Sequence, residues 1–315
     1  MKNIRTDLAI EAREMYSEDK NVEIPGVKVD REENENYTVT RIEILDDKGK
    51  EIMGKEKGIY VTIESNLLTF DDEESRNSII NALMEELTKI LGKDKNKRTL
   101  IIGLGNWNIT SDALGPKTIS KVLVTRHLFK TYNKEYDDDL SEVAALSPGV
   151  MGLTGIETSE TVKSLVDMIN PDGVIAIDAL ASRKLERVNS TIQISTAGIS
   201  PGAGIGNIRK ALNKEYLKVP VIAIGVPTVV DAATLTSDII DMTLDNLINE
   251  SEKGKEFYNM LKSLKQEEKY HLIKDILEPY DKNVIVTPKD IDEIIDNLSI
   301  IISGALNKSL HPGIN

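Results

Sequence analysis

The sequence has no cysteine among its 315 residues and only three histidines, His127, His271 and His311. The lack of cysteine excludes disulfide bonds, thiolate nucleophiles and Cys-ligated zinc or iron–sulfur sites. Because the three histidines are far apart in the sequence, a His-rich metal site is not expected, and no cofactor is predicted. Aromatic residues make up only 4% of the chain, so its core must consist mainly of Ile, Leu, Val and Ala.

Basic residues are fewer than acidic residues: the chain has 39 Lys and Arg and 52 Asp and Glu, which gives a formal net charge of −13. A nucleic-acid partner would require a basic surface, so none is expected. The longest apolar runs, such as Val219–Val230, contain Pro and Gly and are too short to span a bilayer. Met1–Ser17 has no apolar signal-peptide core. The sequence therefore predicts a cytoplasmic protein without a membrane partner.

Apolar runs typical of buried strands alternate with helical patterns along the chain. Short β-branched runs separated by helices predict an α/β fold, with a mostly parallel sheet, helices on both of its faces, and additions at both ends. The predicted strands are Ile59–Glu64, Thr99–Ile102, Val143–Leu146, Val174–Ile177, Thr191–Ile194, Val221–Ile224 and Val284–Val286, and the predicted helices lie at Ile79–Ile90, after Pro116, and at Thr158–Ile169, Lys255–Leu277 and Asp290–Leu306.

Two aspartates follow predicted strands closely. Asp178 comes directly after Val174–Ile177, and Asp112 lies in the glycine-rich loop that follows Thr99–Ile102. Parallel sheets place their active sites at the carboxyl ends of the strands, and two acids there could share a proton, one as a base toward water and the other as an acid. Each residue is as readily explained as a cap of the next loop or helix. The residues alone therefore indicate an α/β protein with strand-end acids, of the kind found in hydrolases.

Three further carboxylates are weaker candidates. Asp231 follows the strand-like run Val226–Val230, where a role as a helix cap is favoured over a third catalytic acid. Glu157 and Glu186 are acids that could support the aspartate pair from a second layer.

Several motifs carry a strong resemblance to one family. The motifs are Gly103–Asn108, Ser111–Pro116, Leu123–Phe129, Ser147–Thr158, Val174–Arg183, Glu186–Asn189, Thr191–Ile194 and Val219–Ala232. In these motifs the chain resembles the germination proteases, the endopeptidases of spore-forming bacteria, and the similarity extends from Arg5 to near the C-terminus.

The resemblance implies a specific activity and a pair of essential residues. The family is an atypical aspartic endopeptidase group that degrades the small acid-soluble proteins coating spore DNA, and its two essential aspartates match Asp112 and Asp178. The family also resembles the hydrogenase-maturation proteases, which implies a similar fold. It further implies a homotetramer located in the forespore or spore core.

The resemblance also implies a self-cleaving zymogen. Family substrates are cut after an acid and before an apolar residue, and the segment Thr6–Glu11 has that form. The implied cut lies between Asp7 and Leu8, so residues 1–7 form a propeptide and residues 8–315 form a single α/β peptidase domain. This propeptide is shorter than expected for the family.

Two alternatives to a metal-free aspartic peptidase stay open. The same acids could act through a metal ion, although no histidine is evident as a third ligand, so no metal residue is assigned. The chain could also bind spore proteins without cutting them.

Overall fold

The computed structural model describes residues 6–17, 22–70, 72–92, 97–132, 140–200, 210–236, 238–240, 285–311 and 313. The strands are β1 (Val27–Glu33), β2 (Thr38–Ile44), β3 (Gly58–Glu64), β4 (Thr99–Gly103), β5 (Val143–Leu146), β6 (Gly173–Ser182), β7 (Thr191–Ser195), β8 (Val221–Asp231) and β9 (Ile285–Val286). The helices are α1 (Ala9–Tyr16), α2 (Asp47–Met53), α3 (Glu73–Leu91), α4 (Leu114–Ile119), α5 (Arg126–Tyr132), α6 (Met151–Thr154), α7 (Thr158–Ile169), α8 (Lys214–Leu217) and α9 (Ile291–Leu310).

All nine strands belong to one sheet, in the order β1-β2-β3-β7-β8-β6-β4-β5, with β9 paired to β8. Strands β8, β6, β4 and β5 pair in parallel, whereas the other strand pairs in the described residues are antiparallel. The α/β class is therefore confirmed, but the sheet is mixed where a mostly parallel one was predicted. The short β1–β2 connection at residues 34–37 permits only antiparallel pairing, which accounts for part of the difference.

Helices cover both faces of the parallel part, as predicted. On one face, α3, α4 and α9 pack against β-strand residues that include Ile101, Ile175 and Ile177. On the other face, α7 packs through Val162 and Val166 against strands β4 and β6. Burial on both faces requires apolar residues at consecutive strand positions, and this explains the continuous β-branched runs in the sequence.

A separate apolar cluster joins the N-terminal segment to the antiparallel part. Leu8 and Ile10 pack with Ile42, Tyr60 and Leu180, and all five side chains are buried. Helix α1 therefore lies against β2 and β3, and it contacts α2 as well.

Most predicted elements are confirmed, and α7 has the bounds that the sequence predicted. Strand β6 differs, because it continues through Asp178 to Ser182, whereas the predicted strand ends at Ile177. The predicted helix Lys255–Leu277 lies outside the described residues. Among the helices that are described, none has the length and apolar character needed to cross a membrane.

Candidate active site

Asp112 is held by a loop that folds back on itself after β4. Its backbone carbonyl accepts a hydrogen bond from the Asn106 N–H at 3.0 Å, and its own N–H donates to the Ile109 carbonyl at 2.8 Å. Gly105 has φ +109, and a Cβ at this position would lie 2.0 Å from the Asp112 carbonyl oxygen. The loop can therefore close only with glycine at residue 105.

Asp178 lies within β6, at the point where its neighbour β4 ends. The two strands are in register up to Gly103 and Ile177, so Asp178 is the first β6 residue beyond the end of β4. It is 5% exposed, and its Oδ1 accepts a hydrogen bond from the Ala179 N–H at 3.0 Å. Asp178 is thus a buried acid on the edge of β6 that β4 leaves uncovered.

Backbone contacts bring the Asp112 loop to the same edge of β6. The Leu104 N–H donates to the Ile177 carbonyl at 2.8 Å, one residue before Asp178. On the other side of the loop, the Ser111 carbonyl accepts from Thr228 Oγ1 of β8 at 2.6 Å. The short 3₁₀ turn Thr110–Asp112 consequently contacts both β6 and β8. A buried acid and a half-buried acid on one strand edge are suited to sharing a proton.

The segment that precedes α1 runs along this edge. The Asp7 N–H donates to the Ala181 carbonyl at 3.1 Å, and the Asp7 carboxylate accepts from the Ala181 N–H at 2.9 Å. Ala181 lies on β6, three residues after Asp178. The predicted scissile bond Asp7–Leu8 is therefore attached to the strand that carries Asp178.

Two side chains from the antiparallel part hold the same segment, and sequence reasoning did not identify either. Gln193 Nε2 donates to the Asp7 carbonyl at 3.1 Å, and Gln193 Oε1 accepts from the Ala9 N–H at 2.7 Å. Lys55 Nζ donates to the Thr6 carbonyl at 2.8 Å. A cleft of about 290 Å³ lies beside them and is lined by residues that include Asp7, Lys55, Gln193 and Gly225.

A buried arginine fixes α1 on the sheet. The guanidinium of Arg187, 6% exposed, bonds Glu14 at 2.8 and 2.6 Å and Glu64 at 3.0 Å. Burial opposes ionisation of Glu14, but hydrogen bonds and charge from Arg187 and Lys184 outweigh it and lower the Glu14 pKa to about 2. Glu11 adds a second anchor, because its carboxylate accepts the Arg183 and Lys184 N–H groups at 2.8 and 2.9 Å.

The three weaker candidate acids have separate positions. The Asp231 carboxylate accepts the Thr234 N–H at 3.1 Å, and it thus caps the helical turn at 232–236, as the sequence favoured. Glu186 has a 70% exposed side chain that pairs with Lys184 at 3.5 Å. Glu157 precedes α7, and its side chain makes no capping hydrogen bond to that helix. Supporting roles for these acids stay predictions.

The described part of the chain contains no group of three or more His, Asp and Glu residues placed to hold a metal ion.

Comparison with known proteins shows which family the chain is similar to. A sequence profile for the germination proteases matches residues 7–255 and 242–315. The chain is 49% identical over 313 residues to the germination protease of Clostridium perfringens, covering 99% of this chain and 96% of that protein. The germination protease of Clostridium tetani is also 49% identical, covering 99% of this chain and 97% of its own length. That of Bacillus mycoides is 42% identical, covering 98% and 94% respectively.

Among solved structures, a [NiFe] hydrogenase maturation protease, HycI from Thermococcus kodakarensis, is similar to part of the chain. The match covers 45% of this chain and 80% of that protein, with a TM-score of 0.30 and 18% identity.

Proposed function

This chain belongs to the germination protease family and is a protease of that type, and we propose that it is an endopeptidase that uses Asp112 and Asp178 to activate water. In this mechanism one aspartate, ionised, takes a proton from water, and the other, protonated, donates to the carbonyl oxygen or the leaving amine. Its substrates are the small acid-soluble proteins of the spore, whose degradation it begins during germination. It acts as a homotetramer in the forespore and spore core.

The observation that supports this proposal most directly is the position of Asp178. Among the carboxylates discussed above, it combines deep burial with a position on a strand edge that also receives the Asp112 loop and the Asp7–Leu8 segment. Burial of one acid beside another favours a shared proton, because two adjacent carboxylates do not both ionise readily in a site of low dielectric.

We further propose that the chain is made as a zymogen that cuts itself between Asp7 and Leu8. Residues 1–7 would leave as the propeptide, and residues 8–315 would remain as a single α/β peptidase domain. Supporting this, the Asp7 backbone is bonded to Ala181 of β6, and Leu8 is fully buried. An acid followed by an apolar residue is thus held on the strand that carries Asp178, three residues beyond it.

The decisive experiment is digestion of a purified small acid-soluble spore protein, with fragments identified by mass spectrometry. The Asp112→Asn and Asp178→Asn variants should each lose at least about 100-fold in cleavage rate, the range expected when acid–base catalysis is removed. Thermal unfolding should stay cooperative in both. Asp172→Asn is the matched control, because Asp172 lies at the opposite end of β6 and its partly exposed carboxylate pairs with Arg98.

Each outcome of this digestion has a defined meaning. Full activity in either active-site variant would contradict the assignment of the aspartate pair. Activity that disappears with a chelator and returns with a divalent ion would indicate metal-assisted hydrolysis through the same acids. Intact spore protein, bound but uncut by the wild-type chain, would identify a non-catalytic binder.

A further inference from the structure

We propose that Lys55 and Gln193 are positioning residues that hold the chain's own Asp7–Leu8 bond for cleavage and make the site selective for an acidic residue before that bond. This inference rests on the self-cleavage proposed above and adds the residues that recognise the segment. Both residues come from the antiparallel part of the sheet or the loop leading into it, away from the loop that carries Asp112.

Residues 6–9 are held along their backbone by a continuous series of hydrogen bonds. The Thr6 carbonyl accepts from Lys55, and the Asp7 N–H and carbonyl are bonded to Ala181 and Gln193 respectively. The Leu8 N–H donates to Thr6 Oγ1 at 3.0 Å, and its carbonyl accepts from the Ala12 N–H. Since the polar groups on both sides of the Asp7–Leu8 bond have partners, its position on the sheet is fixed.

Gln193 spans this bond with a single side chain. It is 6% exposed, and its amide donates to the carbonyl before the bond and accepts from the Ala9 N–H after it. Only one orientation of the amide satisfies both partners, because a carbonyl cannot donate and an N–H cannot accept. Gln193 is therefore matched to a peptide backbone and places no requirement on its side chains.

Gln193 and Asp178 lie at the same level of the sheet, on strands that are separated by β8. Gln193 is in register with Gly225 of β8, and Gly225 is in register with Asp178 of β6. Residues in register across a sheet face the same side, and the Leu180 side chain packs over Gly225 between the other two. A peptide bond held by Gln193 consequently lies on the face of the sheet to which Asp178 belongs.

Selection for an acid follows from the charges around Asp7. Its carboxylate accepts the Ala181 N–H, and Asp7 lines the same cleft as Lys55, whose Nζ donates to the carbonyl of the preceding residue, Thr6. Burial lowers the pKa of Lys55, and the charges of Asp7 and Glu11 oppose that shift. A neutral residue at position 7 would deprive Lys55 of one of two opposing charges in a partly desolvated cleft, which costs free energy.

Selection for an apolar residue after the bond follows from the burial of Leu8. Its side chain is 0% exposed and packs in the cluster that contains Ile42 and Leu180. A polar side chain in this position would lose its hydration without gaining a hydrogen-bond partner from these neighbours. The site thus accepts an acid and then an apolar residue.

The first test measures how the segment is held, independently of activity. In a full-length Asp178→Asn chain, amide exchange of residues 7–9 is followed by mass spectrometry or NMR. When Gln193→Met is combined with Asp178→Asn, the amide exchange rate of Ala9 should rise by at least about tenfold, since the acceptor of the Ala9 N–H is removed. Gln193→Glu retains that acceptor and should keep Ala9 protected. Equal exchange at Ala9 in all three chains would overturn the role of Gln193.

The second test is a double-mutant cycle on the rate of self-cleavage in the otherwise wild-type chain. Asp7→Asn should slow the cut by about tenfold when Lys55 is present and by no more than about twofold in Lys55→Met, because the interacting partner is then already missing. Lys57→Met is the matched control, since exposed Lys57 pairs with Asp47 and should leave the effect of Asp7→Asn unchanged.

Additive effects of Asp7→Asn and Lys55→Met would overturn the selectivity that we assign to Lys55. If the wild-type chain makes no cut at all, the self-cleavage proposal fails, and the exchange experiment still decides whether Gln193 holds the segment. If the chain cuts itself while residues 7–9 exchange as fast as an unfolded peptide, this inference fails and the proposed function stands.

Discussion

The parallel part of the sheet holds the Asp112 loop and the antiparallel part holds the N-terminal segment, and they do so by different means. In the parallel part, the Asp112 loop is held by close backbone packing, since a Cβ on Gly103 or Gly115 would lie within 2.4 Å of a carbonyl oxygen. In the antiparallel part, residues 6–14 are held by the side chains of Lys55, Gln193 and Arg187. The first arrangement depends on small volume, and the second depends on charge and hydrogen bonding.

This difference suits the role proposed for each part. A loop that carries a catalytic acid must keep one geometry, and backbone packing provides it without mobile groups. A segment that is held, cut and released needs contacts that a change in charge or covalent structure can weaken. Substitutions should therefore affect the two parts through separate mechanisms, and three experiments test whether they do.

The largest effect is expected from Gly115→Ala in the parallel part. The new Cβ would lie 2.2 Å from the Leu104 carbonyl oxygen and 2.7 Å from the Ile177 carbonyl oxygen. Because backbone atoms must move, we expect a loss of about 3 kcal/mol in the free energy of unfolding, the upper end of the usual range for overpacking. Cleavage should be lost with it, since α4 can no longer pack beside the Asp112 loop. Urea unfolding followed by circular dichroism measures the stability.

Gly173→Ala is the control for that substitution. Gly173 begins β6 in the same part of the sheet, and its nearest neighbour to a new Cβ is the Pro220 carbonyl oxygen at 3.7 Å, an ordinary contact. Its free energy of unfolding should change little. If Gly115→Ala and Gly173→Ala had equal stability and activity, close backbone packing would not be what holds the parallel part.

A smaller effect is expected from Arg187→Leu, which removes the central cation of the antiparallel part. Glu14, Glu64 and Glu11 would then face one another without it. Breaking a buried pair costs about 3–5 kcal/mol, and because Glu14 and Glu64 keep some contact with water we expect about 2–3 kcal/mol.

Arg31→Leu serves as the matched variant, because the Arg31–Glu33 pair is largely exposed and should contribute less than about 1 kcal/mol. Amide exchange should localise the Arg187→Leu effect to α1 and β3 and leave the Asp112 loop protected. Increased exchange in that loop would mean that the two parts are not held independently.

The sequence predicts the parallel part better than the antiparallel part, for a physical reason. Strands buried on both faces, such as β4 and β6, require continuous apolar runs that a pattern reveals. Strand β1 is Val-Lys-Val-Asp-Arg-Glu-Glu and largely exposed, so only its pairing with β2 defines it. The charged Asp178 also ended the predicted β6 early, although pairing with β8 carries the strand to Ser182.

The residues of the candidate site also differ in how well the sequence predicts them. Asp112 and Asp178 follow apolar runs and could be found from the sequence, and the form of Thr6–Glu11 indicated the segment that is attached to β6. Lys55 and Gln193 could not, because a single lysine in a loop and a single glutamine in a strand carry no pattern of their own. They reach the Asp7–Leu8 segment only because the mixed sheet places β7 beside β8 and β3 beside β7.

The smallest effect is expected from pH, and it concerns Glu14 in the antiparallel part. The Glu14 pKa is about 2 in the folded chain against its usual value of 4.5. A lowered pKa contributes stability that is present above about pH 4.5 and is lost as the pH falls toward 2. Because the Glu14 side chain is 23% exposed, we expect only about 1–2 kcal/mol from it, measured as the fall in the free energy of unfolding from pH 5 to pH 2.5.

The Glu14→Gln variant isolates this contribution, because glutamine has similar shape and no titratable group. Its free energy of unfolding should be lower than that of the wild type at pH 6, and it should decrease less steeply as the pH is lowered. Glu33→Gln, which alters a 69% exposed carboxylate, should keep the wild-type slope. Equal slopes for Glu14→Gln and wild type would show that the Arg187 contacts do not depend on the charge of Glu14, and that other contacts, such as those of Glu11, hold α1 on the sheet.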